Sequence, residues 1–419
     1  MNTSLIRLAA TSAIAAACLS ACGGGGGGGG GGTTVASQTT SSPGAPTTPT
    51  SPTSPTSPPV AVQFGTAKVS LTGEPGCGYD AVNVTVSKVR FHMSATAAPT
   101  DAGWTDVTLA TPRRIDLSQM GNGASIDLGT AALSPGHYAQ ALLVLDQNSA
   151  NGTANSVVVS GTALEKPLLI QTAAPDGTSI ALGSGFDIAN GAAINVVADF
   201  DGCRSVLPRG ADYLLRPVIN AVPATKNGID GFLDKSLLGT NVRVSAQQKG
   251  VEIRATQPDP TTGEFLLARL PVGSYDIVIT ADNRAAAAIT GVNVADATAV
   301  VALNTAAAPI TLAPSATGSI DALLTLVPYS PVVAPFGSAT QTFINGPRIS
   351  VRDRVADLGS GFVHIGSLPK TSPSLAVWQS GQPLSFIQHA PTNEAPAFYL
   401  VSTSAPGYST SGELQIEAK

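Results

Sequence analysis

The sequence is short of charge and short of aromatic rings. Only 12% of its 419 residues are Asp, Glu, Lys or Arg, and Phe, Trp and Tyr together make up 5%. The 22 basic residues are scattered among 27 acidic ones for a net charge of -5, with no block of like charge. A nucleic-acid partner is excluded on that ground, because holding phosphates takes a clustered basic surface. No stretch sustains a helical period either, which argues against a helical bundle. The four cysteines show no C-x-x-C spacing, no H-E-x-x-H occurs, and no G-x-S-x-G elbow is present. These gaps remove the familiar thiol-redox, zinc and serine-hydrolase signatures. His92, His137, His364 and His389 are widely spread and read as exposed or turn residues. The expectation is a protein that is not an enzyme, with no cofactor and no metal.

What is abundant points to strands and turns. The chain holds 44 Gly and 31 Pro among many Ala, Val, Thr and Ser residues, a composition that favours β-structure joined by tight connections. Its length suffices for two or three domains with separate cores.

The start, "MNTSLIRLAATSAIAAACLSAC", has one basic residue, Arg7, then an apolar run from Leu8 to Leu19 and small residues before a cysteine. The run reads as a secretion signal, too short for a stable membrane span. Leu19-Ser20-Ala21-Cys22 resembles the bacterial lipobox. That resemblance implies cleavage after residue 21, a lipid on Cys22, the membrane as a partner, and a place in the bacterial cell envelope. Gly23, standing where an Asp would retain the protein at the inner membrane, is similar to the outer-membrane sorting pattern. The competing reading is a plain signal peptide that leaves Cys22 as a free thiol, a liability in an oxidising compartment. Cys18 leaves with the signal on either reading.

A lipidated Cys22 accounts for the segment after it. Gly23 to Gly32 has no side chains to bury, and Thr39 to Pro59 is a Pro/Ser/Thr stretch of polyproline type. Extended at about 3 Å per residue, the second stretch spans roughly 60 Å. Residues 22–60 are therefore expected to be a disordered tether that carries the folded part clear of the lipid head groups.

From Val60 the pattern changes to short alternating runs. "VNVTVSKVRFH" places Val82, Val84 and Val86 on one face, and Val89 and Phe91 continue it after a shift. "YAQALLVLD" and "AINVVADFD" are further strands, separated by turn signals such as Pro135-Gly136, Asn151-Gly152 and Asp176-Gly177. The blocks "GTAKVSLTGEPGCGYDAVNVTVSKVRFHM", "GWTDV", "RRIDLSQMGNG", "LGTAALSPGHYAQALLVLDQN" and "VVADFDGCRSVLPRGADYLLRPVI" resemble the domain of unknown function 4382 of bacterial lipoproteins. The resemblance implies a secreted β-rich domain and transfers no activity. "GEPGCGYD" departs from the Asp-Ala-Pro start of many members.

A second unit begins near Gly228. Its run from Thr262 through Gly263-Glu264-Phe265 to Leu270-Pro271-Val272-Gly273-Ser274-Tyr275 is similar to the carboxypeptidase regulatory-like modules. These are transthyretin-type sandwiches grouped with carbohydrate-binding-like folds, and fold membership by itself confers no binding. The remainder repeats the grammar weakly, with a glycine turn, Phe362 and Leu368-Pro369. Leu133-Ser134-Pro135-Gly136-His137-Tyr138 uses the same turn as Leu270 to Tyr275. The shared reason is a glycine that permits the turn and a Tyr that packs while its hydroxyl bonds back to the backbone.

The expected architecture is all-β, with two or three antiparallel β-sandwich domains of immunoglobulin or transthyretin type. The expected bounds are 1–21 for the leader, 22–60 for the tether, and 61–224, 225–310 and 311–419 for the modules, the last a degenerate one. Cys77 and Cys203, the interior cysteines, stand in turn contexts at the ends of strands expected near each other, which in an exported chain predicts a disulfide. Asp199 and Asp201 flank Phe200 and so share a strand face, and Asp80 follows Cys77 by three. They are open to two readings, a calcium site or turn caps, and the lack of an EF-hand or nonapeptide pattern favours caps. Trp104 and Trp378 are either core residues or platforms for a sugar ring. The functional expectation is a lipid-anchored, non-catalytic envelope protein with a binding or structural role, its ligand an envelope protein or a polysaccharide. A polysaccharide-binding lipoprotein is the alternative, and an unrecognised hydrolase a weaker third.

Overall fold

The structure, a computed structural model, describes residues 6–12, 63–74, 77–150, 152–170, 178–389, 391, 395–410 and 412–419. Cys22, the tether 22–60 and most of the leader 1–21 lie outside the described residues. Within 1–21, the stretch expected to be a leader, Ile6–Ser12 forms a strand parallel to Thr317–Val327. Among the described residues nearly every regular element is a strand. The exceptions are the single helical turn Gly202–Ser205 and the 3-10 turns Leu117–Met120 and Lys235–Leu237. None of these is long and apolar enough to cross a membrane.

Residues 63–419 belong to one compact unit that contains three main apolar cores. The first is built on the strand Tyr79–His92. Its Val82, Val84 and Val86 are fully buried, and a bulge between Val86 and Lys88 restores the inward alternation so that Val89 and Phe91 join the same core. The opposite sheet, ordered Ile219–Val222, Ala193–Asp201, Gly65–Glu74, Ile126–Leu133, supplies Val69, Leu71, Leu128, Ala198 and Phe200. The second core holds Val244, Phe265, Leu267, Tyr275, Ile277 and Ile289, and the third holds Leu324, Ile349, Val363, Ile365, Tyr399 and Val401.

These last two cores interleave on either side of residue 310. Ser374–Val377 adds in parallel to Ala287–Val294, which carries Ala376 and Trp378 into the second core. Val278, Ala286 and Ala288 face the third. Most pairings are antiparallel as expected, but the sheets are mixed. Gly65–Glu74 runs parallel to Ala193–Asp201 over nine register pairs. More than a hundred residues separate the two strands in sequence, so no tight turn dictates their direction.

The second and third modules repeat one turn residue for residue. Asp259 accepts from the amides of Thr261 and Thr262, and the turn ends in Gly263, whose carbonyl takes the Leu233 amide at 2.8 Å. Asp357 likewise accepts from Gly359 and Ser360, and its turn ends in Gly361, whose carbonyl takes the Leu324 amide at 2.8 Å. Gly263 and Gly361 have φ of 78° and 72°, and a Cβ on either would run into the carbonyl oxygen of Leu233 or Leu324. Further along, both chains reach a leucine through a residue with positive φ, Arg269 at 60° before Leu270-Pro271 and Ser367 at 56° before Leu368-Pro369. The correspondence corrects one sequence assignment: Val363, buried, is the counterpart of Phe265, while Phe362 is 40% exposed and sits where Glu264 does.

The tyrosine turns form as expected. The Tyr138 hydroxyl donates to the Ser134 carbonyl at 3.1 Å and the Tyr275 hydroxyl to the Pro271 carbonyl at 2.6 Å. In the third module Tyr399, from a distant strand, donates to the Pro369 carbonyl at 2.6 Å. The glycine's role differs between the first two turns. Gly136 needs its φ of 151°, whereas Gly273 has no positive φ, and a Cβ there would meet only the end of the exposed Gln248 side chain, 3.0 Å away at Nε2.

Candidate functional site at the module junction

Each of the three modules touches the other two, and polar side chains gather where they meet. The loop Gly121-Asn122-Gly123 of the first module docks on an edge of the second. The Asn122 amide donates to Thr256 Oγ1 at 2.8 Å, its Oδ1 accepts from the Leu266 amide at 2.9 Å, and Arg269 Nη1 donates to the Gly123 carbonyl at 3.1 Å. Gln247 of the second module and Ser350 of the third exchange two bonds of 2.8 Å. The first and third modules meet where the Leu358 amide donates to the Pro208 carbonyl at 2.8 Å and Leu207, Leu214 and Leu358 form a small fourth core.

At the junction lies the disulfide Cys77–Cys203, Cα atoms 4.8 Å apart. It ties the start of Tyr79–His92 to the helical turn Gly202–Ser205, which Asp201 caps by accepting from the Arg204 amide at 2.8 Å. The predicted pairing of these cysteines is therefore present.

Three cavities border the disulfide: one of about 620 Å³, lined by both cysteines with Tyr79, Tyr213, Arg354 and Phe362, and two that are rich in charge. Of these two, one, of about 610 Å³, is acid-rich and is lined by Glu74, Asp199, Asp201, Glu252 and Asp353 among others. Arg254 Nη1 reaches Asp199 Oδ2 at 2.6 Å and Glu74 Oε1 at 3.2 Å. One half-buried guanidinium thus serves two buried carboxylates. Burial, with the neighbouring Asp199 adding to it against the pull of Arg254, pushes the Glu74 carboxyl up to about 8. Burial also raises Asp201 and Asp353.

The other cavity, of about 510 Å³, is arginine-rich and carries Arg243, Arg352 and Arg354 along with Glu252, Asp282 and Asp353. Arg243 is engaged by Glu252, with Nη2 to Oε1 at 2.6 Å. Arg352 donates to Thr280 Oγ1 and lies 3.5 Å from Asp282. Arg354 donates to the Asp353 carbonyl at 2.8 Å and has no ion-pair partner among the described residues. Burial, then the charge of Arg354, lowers Arg352 to about 10, and burial with the charge of Arg243 lowers Arg354.

The three aspartates weighed for calcium do not come together. Asp199 and Asp201 line the acid-rich cavity, Asp80 the arginine-rich one, where it accepts from the Gly161 amide at 3.3 Å. Asp201 is a cap and Asp199 an ion-pair partner. Among the described residues no group of three or more His, Cys, Asp or Glu is placed to hold a metal ion. Trp104 lies under the Arg90 guanidinium, 5.0 Å from ring centroid to Cζ, with its Nε1 donating to the Ala98 carbonyl at 2.9 Å. Trp378 packs against the second core. His137 and His364 pair with Asp187 at 2.9 Å and Asp321 at 2.7 Å, His92 bonds to backbone nearby, and His389 stands edge-on to Phe343.

Arg254, Arg352 and Arg354 escaped the sequence reading because each looks like an ordinary strand residue. A signal was present. In "RISVRDRV" Arg348, Arg352 and Arg354 fall at even spacings, which puts all three on one face of the strand, with Ile349, Val351 and Val355 on the other.

Residues 64–217 match the family described as "Domain of unknown function (DUF4382)". No curated protein matches the chain. Among solved structures, the Bacillus anthracis TIE protein is similar to it at 12% identity, over 85% of this chain and 48% of that one, with a TM-score of 0.16. The chain spans about half the length of that protein, and a score so low carries no argument.

Proposed function

We propose that the protein is a lipid-anchored, non-catalytic component of the bacterial outer envelope, whose β-rich head is held off the membrane on the 22–60 tether to bind a ligand. The observation that carries the anchoring is Leu19-Ser20-Ala21-Cys22 followed at once by ten glycines and then the Pro/Ser/Thr stretch. No folded element needs such a segment, and a membrane-tethered head does. In support of a binding role, the modules are joined by interleaved cores and shared hydrogen bonds, so their junction is a fixed surface. On this reading Ile6–Ser12 belongs to the precursor. Residues 225–310 and 311–419 are read as two carboxypeptidase regulatory-like modules, supported by their repeated Asp-to-Gly turn.

The test is growth with labelled palmitate. Label on the wild-type chain and none on Cys22→Ser is expected; equal label on both overturns the anchoring. Protease shaving of intact cells then places the head: peptides released from residues 63–419 mean surface display. A second reading, recognition of a polysaccharide, is favoured by the polar cavity that carries three arginines.

A further inference from the structure

The arginine-rich cavity stands apart from the other features of the molecule because it holds Arg354, a guanidinium with no ion-pair partner among the described residues. Arg352 and Arg354 alternate on the strand Arg348–Val355, so both project to the same side, and both line the cavity. The carboxylates around them are accounted for. Glu252 holds Arg243, and Asp282 accepts from Asn241 Nδ2 at 2.6 Å while standing 3.5 Å from Arg352. Asp353 accepts from Ser350 Oγ at 2.7 Å, and burial favours its neutral form. Asp80 stands at the exposed rim. Arg354 is thus left as a partly buried guanidinium beside a second one, an arrangement that an incoming anion relieves. Gly78 keeps the approach open: a Cβ there would stand 3.2 Å from Arg354 Nε.

Size and lining narrow the anion. At about 510 Å³ the cavity falls in the range of small-molecule sites and is far larger than an inorganic ion needs. Its mouth carries Ser160, Asn241 and Gln257, of which Asn241 and Gln257 are exposed. Such groups suit hydroxyls, donating and accepting in turn. We propose that this cavity binds an acidic sugar, with Arg352 and Arg354 holding its carboxylate and Ser160, Asn241 and Gln257 taking its hydroxyls. The inference rests on the polysaccharide reading above and names its substrate class as a uronic-acid type of glycan.

The experiment is isothermal titration of the full chain with D-glucuronate, with methyl glucoside and acetate as the neutral and the sugar-free probes. Glucuronate is expected to bind saturably and at least about tenfold more tightly than either control, since each lacks one half of the recognition. Arg354→Ala weakens glucuronate by about 10- to 100-fold, the usual loss of a charge-assisted contact. Arg354→Lys, which keeps the charge and spares the fold, weakens it by a smaller factor. Arg113→Ala, outside the lining of the cavity, changes nothing. The proposal is overturned if glucuronate gives no heat at about 10 mM, if acetate binds as tightly, or if both Arg354 variants bind like wild type. A neutral glucan that binds regardless of Arg354 overturns it too, while leaving the broader binding role standing.

Discussion

Glu74→Gln is expected to make the protein more stable in mild alkali and to leave it nearly unchanged in mild acid. Glu74 and Asp199 share the single guanidinium of Arg254, so one negative charge at this inter-module contact is surplus. Burial, with the surplus charge of Asp199 adding to it against the pull of Arg254, favours the protonated carboxyl and raises it from an ordinary 4.5 to about 8. A group raised on folding contributes stability that is complete below its unfolded pKa and is lost as pH climbs through the folded one. Here the loss runs from about pH 4.5 to about pH 8. At roughly 1.4 kcal/mol per unit, full deprotonation costs about 3 to 5 kcal/mol. The substituted amide keeps an oxygen for the Ala255 amide, which Glu74 Oε1 now accepts at 3.2 Å, and carries no charge. Urea unfolding of both proteins across this range is the assay. Near pH 5 they should agree within about 1 kcal/mol, and near pH 9 the variant should lead by about 3 kcal/mol. Parallel profiles would refute the reasoning, because burial of the Glu74 carboxyl would then not be what makes the contact pH-sensitive.

Other consequences are as direct. The disulfide spans 126 residues of sequence, so reducing it should lower stability by about 5 kcal/mol in the chain-entropy model; an unchanged urea midpoint under reductant contradicts that. Tyr275→Phe deletes the hydroxyl donated to Pro271 and should cost about 1 kcal/mol, with Tyr399→Phe costing a similar amount in the third module. Gly263→Ala and Gly361→Ala should each cost more than about 2 kcal/mol, since each forces an L residue into positive φ and a Cβ onto a carbonyl. If Gly361→Ala is silent in thermal unfolding, the two turns are not equivalent. Amide exchange along Thr317–Val327 should be faster in a chain lacking residues 1–21 than in the full chain, whose Ile6–Ser12 pairs with that strand.

Strand identity was legible wherever alternation was strong, and Tyr79–His92 shows why. A period of two needs only local sequence, and even its break before Val89 appeared as a slip in the apolar pattern that the bulge explains. The tyrosine turns were legible for the same reason, their hydroxyl reaching back only four residues. Phe362 misled because residue type outweighed position: the turn sets the register from Gly361, and that register sends Val363 inward. The candidate site was hardly legible. Its arginines and carboxylates come from three modules, and nothing in a single strand says that Arg254 will face Glu74, a residue of another module far back in the chain.

By itself the sequence determined the class of the fold, its turn grammar and the pairing of Cys77 with Cys203, because period, glycine placement and cysteine number act locally or by counting. Tertiary structure alone decided which strands run parallel, how the second and third cores interleave, and which charges share a partner. Those outcomes depend on surfaces meeting across long loops, where each contact competes with solvent and its energy is set by burial that no local pattern encodes.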